Sequence, residues 1–381
     1  MTALRATPFL WGARVDLLAF GGSAAVALAL VAVGHALGWS EGPMPEWGWL
    51  AFVLVVDVAH VWATLFRTYL DREEIARRRA LYVALPAGLY VAGVALHAAS
   101  ALAFWRVLAY LAVFHFVRQQ AGWVAIYRAR AGERSRAGRL IDDAAIYAAT
   151  CVPLFVWHAE LPRAFTWFVK NDFVGSARLR PLVPAAVALF AITLAVFLAR
   201  EAWRARETGE IAAGKIMVVV TTALAWWVGI VLTNSDFDFT VTNVIIHGVP
   251  YFVLLWRYTH FRAAEAPRAL GSRIAAHGVG AFMGLLVALA FVEEMAWDRT
   301  VWHDRAWLFG GFGGFGTDDD GGLALLAGGA HSMPGHTSWL LTLLVPLLAL
   351  PQATHYALDA FLWRRRDTGP AQGKAFGFGV V

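Results

Sequence analysis

Four histidines, His60, His115, His247 and His355, stand inside long apolar blocks of the chain. Each has a polar neighbour within one helical turn: Asp57 for His60, Arg118 and Gln119 for His115, Asn243 for His247, and Asp359 for His355. Ionisable side chains are costly in a bilayer, so they usually face the bundle interior and mark a site. Neutral imidazole is the commonest metal-binding side chain and suits iron, copper and zinc. Its second ring nitrogen is commonly oriented by a carboxylate or an amide. Asp57 lies three residues before His60, Asp359 four after His355, and Asn243 four before His247, so each pair shares a helix face.

This pattern predicts a transition metal, iron first, held by His60, His115, His247 and His355, with Asn243 as a further oxygen ligand. Asp57 and Asp359 are the expected orienting or catalytic carboxylates, and Arg118 the group that fixes an anion. A second tier nearer the basic loops comprises Gln119, His260, His277 and Asp142, with Asp143, Tyr258 and Tyr356 close by. Haem carried by two of the histidines is an alternative that the sequence leaves open. In the plainest alternative the histidines make separate contacts between helices, each worth about 1 kcal/mol.

The elements that must position these residues are transmembrane helices. The chain of 381 residues is 59% hydrophobic and 15% charged, far from a soluble balance. Its apolar blocks are continuous and about 20 residues long, which fits helices crossing a bilayer and excludes the alternating pattern of a β-barrel. About ten spans are expected, near 15–37, 47–66, 80–98, 100–127, 141–159, 182–202, 216–233, 240–260, 274–294 and 337–363. They form one all-α membrane domain covering 1–381, without a detectable repeat. Arg5 and Arg14 ahead of the first block read as an uncleaved first helix.

Arginines alternate between the connections. Arg72 and Arg77 to Arg79, then Arg128 to Arg139, Arg204 and Arg206, Arg262 to Arg273, and Arg364 to Arg366 all fall on the side of the N-terminus. The opposite loops carry Glu41, Glu46, Asp236, Asp238 and Asp318 to Asp320, with the 160–181 segment as the basic exception. Such a bias places both termini in the cytoplasm, as in a bacterial-type inner membrane. The basic excess of +5 therefore orients the chain and does not imply nucleic acid. The single cysteine, Cys151, rules out a disulfide framework or a thiolate metal cluster.

Two outer segments are long. Residues 160–181 carry Trp167, Phe168 and Phe173 and suit the membrane interface. Residues 295–336 read as a Gly-rich outer loop, containing His303 and the pair His331 and His336. His35, His97 and His158 fall near outer helix ends, and Trp47, Trp49, Trp157, Trp256 and Trp363 are expected in a boundary belt. Pro86, Pro153, Pro250, Pro346 and Pro351 are expected to kink their spans.

The four site histidines lie on spans two, four, eight and ten, which all run in the same direction. His60 is 7 residues before Arg67, His115 13 before Arg128, His247 10 before Arg257 and His355 9 before Arg364. At about 1.5 Å per residue, one layer roughly 10–20 Å from the inner boundary holds all four. The dense histidine boxes of membrane desaturases and hydroxylases are absent. Isolated histidines on separate helices are similar in kind to the single-iron arrangement of bacterial membrane carotene-cleaving dioxygenases, but no local motif matches and the chain is assigned to neither family. The expected function is a membrane metalloenzyme that activates oxygen against a lipid or isoprenoid substrate, with an electron donor as a possible partner. The alternatives are a proton-coupled transporter with a buried His/Asp relay and a scaffold or signalling role.

Overall fold

A backbone surrounded by lipid must satisfy its own hydrogen bonds, which a helix does within one segment. The computed structural model describes residues 5–312, 339–362 and 370–378 and is 81% helical, so the fold is all-α. Nine of the described helices are long and apolar enough to cross a membrane. They are α1 Ala13–Leu37, α2 Glu46–Arg67, α3 Arg79–Ala99, α4 Ala101–Arg130, α5 Arg136–Ala159, α6 Ala177–Thr208, α7 Ala213–Leu232, α8 Asp236–Glu265 and α9 Val279–Trp302. A tenth span is broken into α10 Trp339–Leu348 and α11 Leu350–Leu362, which meet at 45°. This is the architecture of a multi-pass helical membrane protein.

The bend between α10 and α11 has a local cause. Pro351 has no amide hydrogen to give the carbonyl of Leu347, so the ladder fails where the axis turns. The ninth span is displaced from its expected place, starting at Val279 and ending at Trp302. Gly278, with φ 93°, delays its start, because that conformation lies outside the helix and suits glycine. At its far end wider π-type turns over Asp298–Trp302 prolong it. The outer loop expected from 295 is therefore helical for its first residues, and Phe309 beyond it is fully buried. The remainder of that loop, including His331 and His336, lies outside the described residues, as do Trp363 and Arg364 to Arg366.

Helix α8 forms the axis of the bundle: 78% of its most apolar stretch is buried, against 17% for α3 and 6% for α6, which face outward. The 160–181 segment is folded against the bundle. Asp172 accepts backbone hydrogen bonds from Trp167, Phe168 and Val169 at 2.9, 2.7 and 3.2 Å. Phe165 and Phe173 are then buried against Trp157. Trp157 and Trp49, expected in the boundary belt, are instead buried core residues. Aromatic surface from the segment and α8, including Phe239 at 5.1 Å from Trp157, takes the place of lipid headgroups.

A buried ionic cluster joins the turn after α4 to α5, α6 and α7. Lys215 Nζ lies 2.9 Å from Glu133, 3.1 Å from Asp142 and 2.9 Å from Glu201. Arg200 binds the same three carboxylates at 2.9, 3.1 and 2.6 Å. Burial pushes the Glu133 carboxyl up, but Lys215 and Arg200 outweigh it and hold the group below the usual range. Removing one partner of such a cluster leaves buried charge uncompensated. Lys215→Met is therefore expected to destabilise the protein by about 3–5 kcal/mol, read as a lower unfolding midpoint in detergent.

Candidate metal centre

The four histidines meet at one point. Each comes from a different helix: His60 from α2, His115 from α4, His247 from α8 and His355 from α11. All four are buried, with exposures between 0% and 3%. Their Nε2 atoms converge, His60 to His247 at 3.1 Å, His247 to His115 at 3.2 Å and His115 to His355 at 3.1 Å. One ligand nitrogen from each falls within 4.8 Å of all the others. With metal–nitrogen bonds of about 2.0–2.1 Å, adjacent corners of a square or a tetrahedron lie about 2.9–3.4 Å apart. The observed separations fall in that interval.

The rings form a cycle. Going from His60 to His247, His115, His355 and back, the ring centroids are 4.7, 4.9, 4.5 and 5.0 Å apart. Neighbouring rings are steeply inclined, at 65–86°. His60 and His115, opposite each other, are 6.5 Å apart and nearly parallel at 17°. A regular tetrahedron would make all six separations equal, so the quartet departs from one along the His60–His115 direction.

The outer face of the quartet fixes proton positions. His115 Nδ1 lies 3.5 Å from Asp359 Oδ2 and His60 Nδ1 lies 3.7 Å from Asp57 Oδ1. An ionised carboxylate only accepts, so these arrangements favour a proton on Nδ1 and a free lone pair on Nε2. His355 Nδ1 is 2.6 Å from Thr64 Oγ1, which is 3.0 Å from the Tyr251 hydroxyl. Tyr251 in turn donates to Asp359 Oδ1 at 3.0 Å, closing the chain back to His115. Lone pairs that converge in a dry interior repel unless a cation lies between them. The donor set and its spacing therefore fit a metal ion.

Sequence reasoning missed Thr64 and Tyr251, yet a signal existed. Thr64, Gln119, Tyr251 and Asp359 each follow a site histidine by four residues, one turn on. Thr64 and Asp359 both contact Tyr251, and Gln119 donates to the His247 carbonyl at 2.8 Å. A layer of four polar groups thus lies directly beyond the layer of rings, as helices running in the same direction require. His247 is gripped differently: its ring stacks on Phe116 at 3.6 Å and 6°, and its Nδ1 has no hydrogen-bond partner among the described residues. Gly248 lets α2 approach, since a Cβ there would stand 2.7 Å from Val56 Cγ1 and 3.8 Å from His60 Cβ.

The other expected residues are placed elsewhere or more loosely. Asn243 donates to the Phe239 carbonyl of its own helix at 2.8 Å, while its Oδ1 is buried without a partner. Asp57 is 36% exposed beside His60. Arg118 donates to the Tyr147 hydroxyl. His260 and His277 are exposed and stand apart from the quartet. Asp142 belongs to the ionic cluster around Lys215.

Two cavities reach the quartet. One, of about 1200 Å³, touches His115, Arg118, Tyr251, Tyr356 and Asp359. The other, of about 260 Å³ and mostly apolar, touches Thr64, Thr354 and His355 near the bend at Pro351. The centre is thus approachable from two sides. No protein-family model, curated protein or solved structure matches the chain.

Gly248→Ala tests the close approach of α2 and α8. Val56 is stiff within its helix and cannot turn aside cheaply, so the variant is expected to lose about 1–3 kcal/mol. Thermal unfolding of the purified protein measures it.

Proposed function

We propose that the quartet holds one redox-active transition metal, iron first, and that the protein is a membrane-embedded oxidoreductase acting on a lipid or isoprenoid substrate. The observation that carries this reading is the convergence of four Nε2 atoms, on four separate helices, at the spacing of metal ligands. A structural zinc site is closed and tetrahedral. A quartet distorted from the tetrahedron and reached by two cavities would suit catalysis by iron or copper. Iron at such a site supplies oxygen activation, with any electrons beyond those of the substrate coming from a donor protein.

The protein's own groups then have distinct tasks. Asp359, Thr64 and Tyr251 hold His115 and His355 with their Nε2 atoms inward. Asp57 stands 3.7 Å from His60 Nδ1 and supplies a nearby carboxylate rather than a hydrogen bond. The larger cavity offers an apolar substrate a place beside His115 without passage through water. The distribution of arginines supports cytoplasmic termini and a bacterial-type inner membrane. Haem fits less well, because neighbouring imidazoles only 3.1–3.2 Å apart fill the space a porphyrin would need.

A proton-coupled transporter is the second reading, and the linked polar groups Asp359, Tyr251 and Thr64 favour it. Transporters of that kind carry broken helices in matching halves. Among the described residues a single bent pair occurs.

Elemental analysis of detergent-purified protein separates these readings. The expected result is one iron per chain, lost in the His247→Ala/His355→Ala double variant. A metal-free wild-type protein whose stability is unaffected by that double substitution would sink the proposal. Asp359→Asn keeps the shape but removes the charge facing His115, and is expected to weaken metal affinity about 10–100-fold, measured by chelator competition.

A further inference from the structure

Arg118 is an arginine in the middle of an apolar span, exposed on the wall of the larger cavity. Its hydrogen-bond partner is the neutral hydroxyl of Tyr147, and no carboxylate pairs with it among the described residues. The other arginines lining the cavity are already paired: Arg128 with Asp143 at 3.1 Å, and Arg139 with the same carboxylate at 3.4 Å. A guanidinium without a counter-charge at membrane depth is costly, and such groups mark ligand or ion sites. Planar guanidinium groups favour carboxylate and phosphate oxygens, which they bind in pairs.

The cavity wall is mixed: Val113, Phe114, Val117, Ile126 and Leu154 are apolar, while Gln119 and the carboxylates Glu133 and Asp359, each engaged by other groups, also line it. At about 1200 Å³ the cavity exceeds the usual small-molecule range of about 300–1,000 Å³. Phe114, on its wall, is 55% exposed, so the cavity borders the lipid-facing side of α4. One cation without a carboxylate partner, a hydroxyl and a stretch of apolar wall match a molecule with one anionic end and one hydrocarbon chain.

We propose that this cavity binds a single-chain amphiphile, a fatty acyl or prenyl chain ending in a carboxylate or phosphate, with its anionic head on Arg118 and Tyr147. This deepens the metalloenzyme reading by naming its substrate class, and rests on that reading for the fate of the bound molecule. Arg118 follows His115 by one turn, a rise of about 4.5 Å. The head group therefore lies close to the quartet, and the carbons presented to it are those nearest the anionic end.

The test uses the full chain in a neutral detergent, with a fluorescent polyunsaturated fatty acid, its methyl ester, and a prenyl phosphate as competitor. Wild-type protein is expected to bind the acid at least tenfold more tightly than the ester, and displacement by the prenyl phosphate or by palmitate distinguishes the two head groups. Arg118→Gln is expected to reduce acid affinity to that of the ester while leaving the ester unchanged, and Arg118→Lys to retain most of the acid binding. Equal binding of acid and ester by the wild type, binding of neither, or an equal loss of both in Arg118→Gln overturns the proposal. Where Arg118→Gln does not fold, Leu154→Trp fills the cavity and should abolish binding of both ligands, and unchanged binding there also overturns it. Iron is measured in the same samples. Metal-free protein that still prefers the acid would overturn the metalloenzyme reading and leave this site standing.

Discussion

Everything in this bundle answers to the need to bring four imidazole nitrogens within 4.8 Å of one another in a buried interior. Four helices must run alongside one another in the same direction, and each must present its histidine at the same height. α8 therefore sits at the centre with α2 against it, and α11 packs on α4, α3 and α2. Gly248 removes the side chain that would keep α2 away. The break at Pro351 turns α11 relative to α10, so the segment carrying His355 has its own direction. The helices that contribute no ligand are free to be lipid-facing, as α3 and α6 are.

The sequence revealed the fold class and the ring quartet because both are written in simple periodicities. Apolar blocks and arginine spacing marked the helices, and distance to the next arginine placed His60, His115, His247 and His355 at one depth. Thr64 and Tyr251 escaped notice because hydroxyl residues are common in membrane helices and carry no formal charge. Only the recurrence of a polar residue four positions after each histidine would have exposed them. The partner of Asp142, a residue expected in the second polar tier, was not legible for a different reason: Lys215 comes from a distant part of the chain. The burial of Trp157 depends likewise on a fold-back of the 160–181 segment, which no local pattern announces.

Two buried polar centres coexist here and are built on different principles. The cluster around Lys215 balances full charges against one another, so its members are satisfied without any outside species. The quartet assembles four neutral rings whose lone pairs point inward and whose carboxylates stand behind them. The first is complete as a structural joint. The second is arranged around a point that could hold a metal ion, and it is the one to which both cavities lead.

The stacking of His247 on Phe116 gives the quartet an uneven rigidity. Polar groups within 3.5 Å face the Nδ1 atoms of His115 and His355, which biases the aim and the proton position of those rings, while His60 Nδ1 stands 3.7 Å from Asp57 without a hydrogen bond. Phe116 fixes only the plane of His247, and Trp167, 5.0 Å from Phe116, backs that plane from the 160–181 segment. Dispersion between faces does not choose between tautomers. The His247 ring is thus electronically undecided while being sterically clamped, and it answers to an aromatic column that begins in a loop outside the spans.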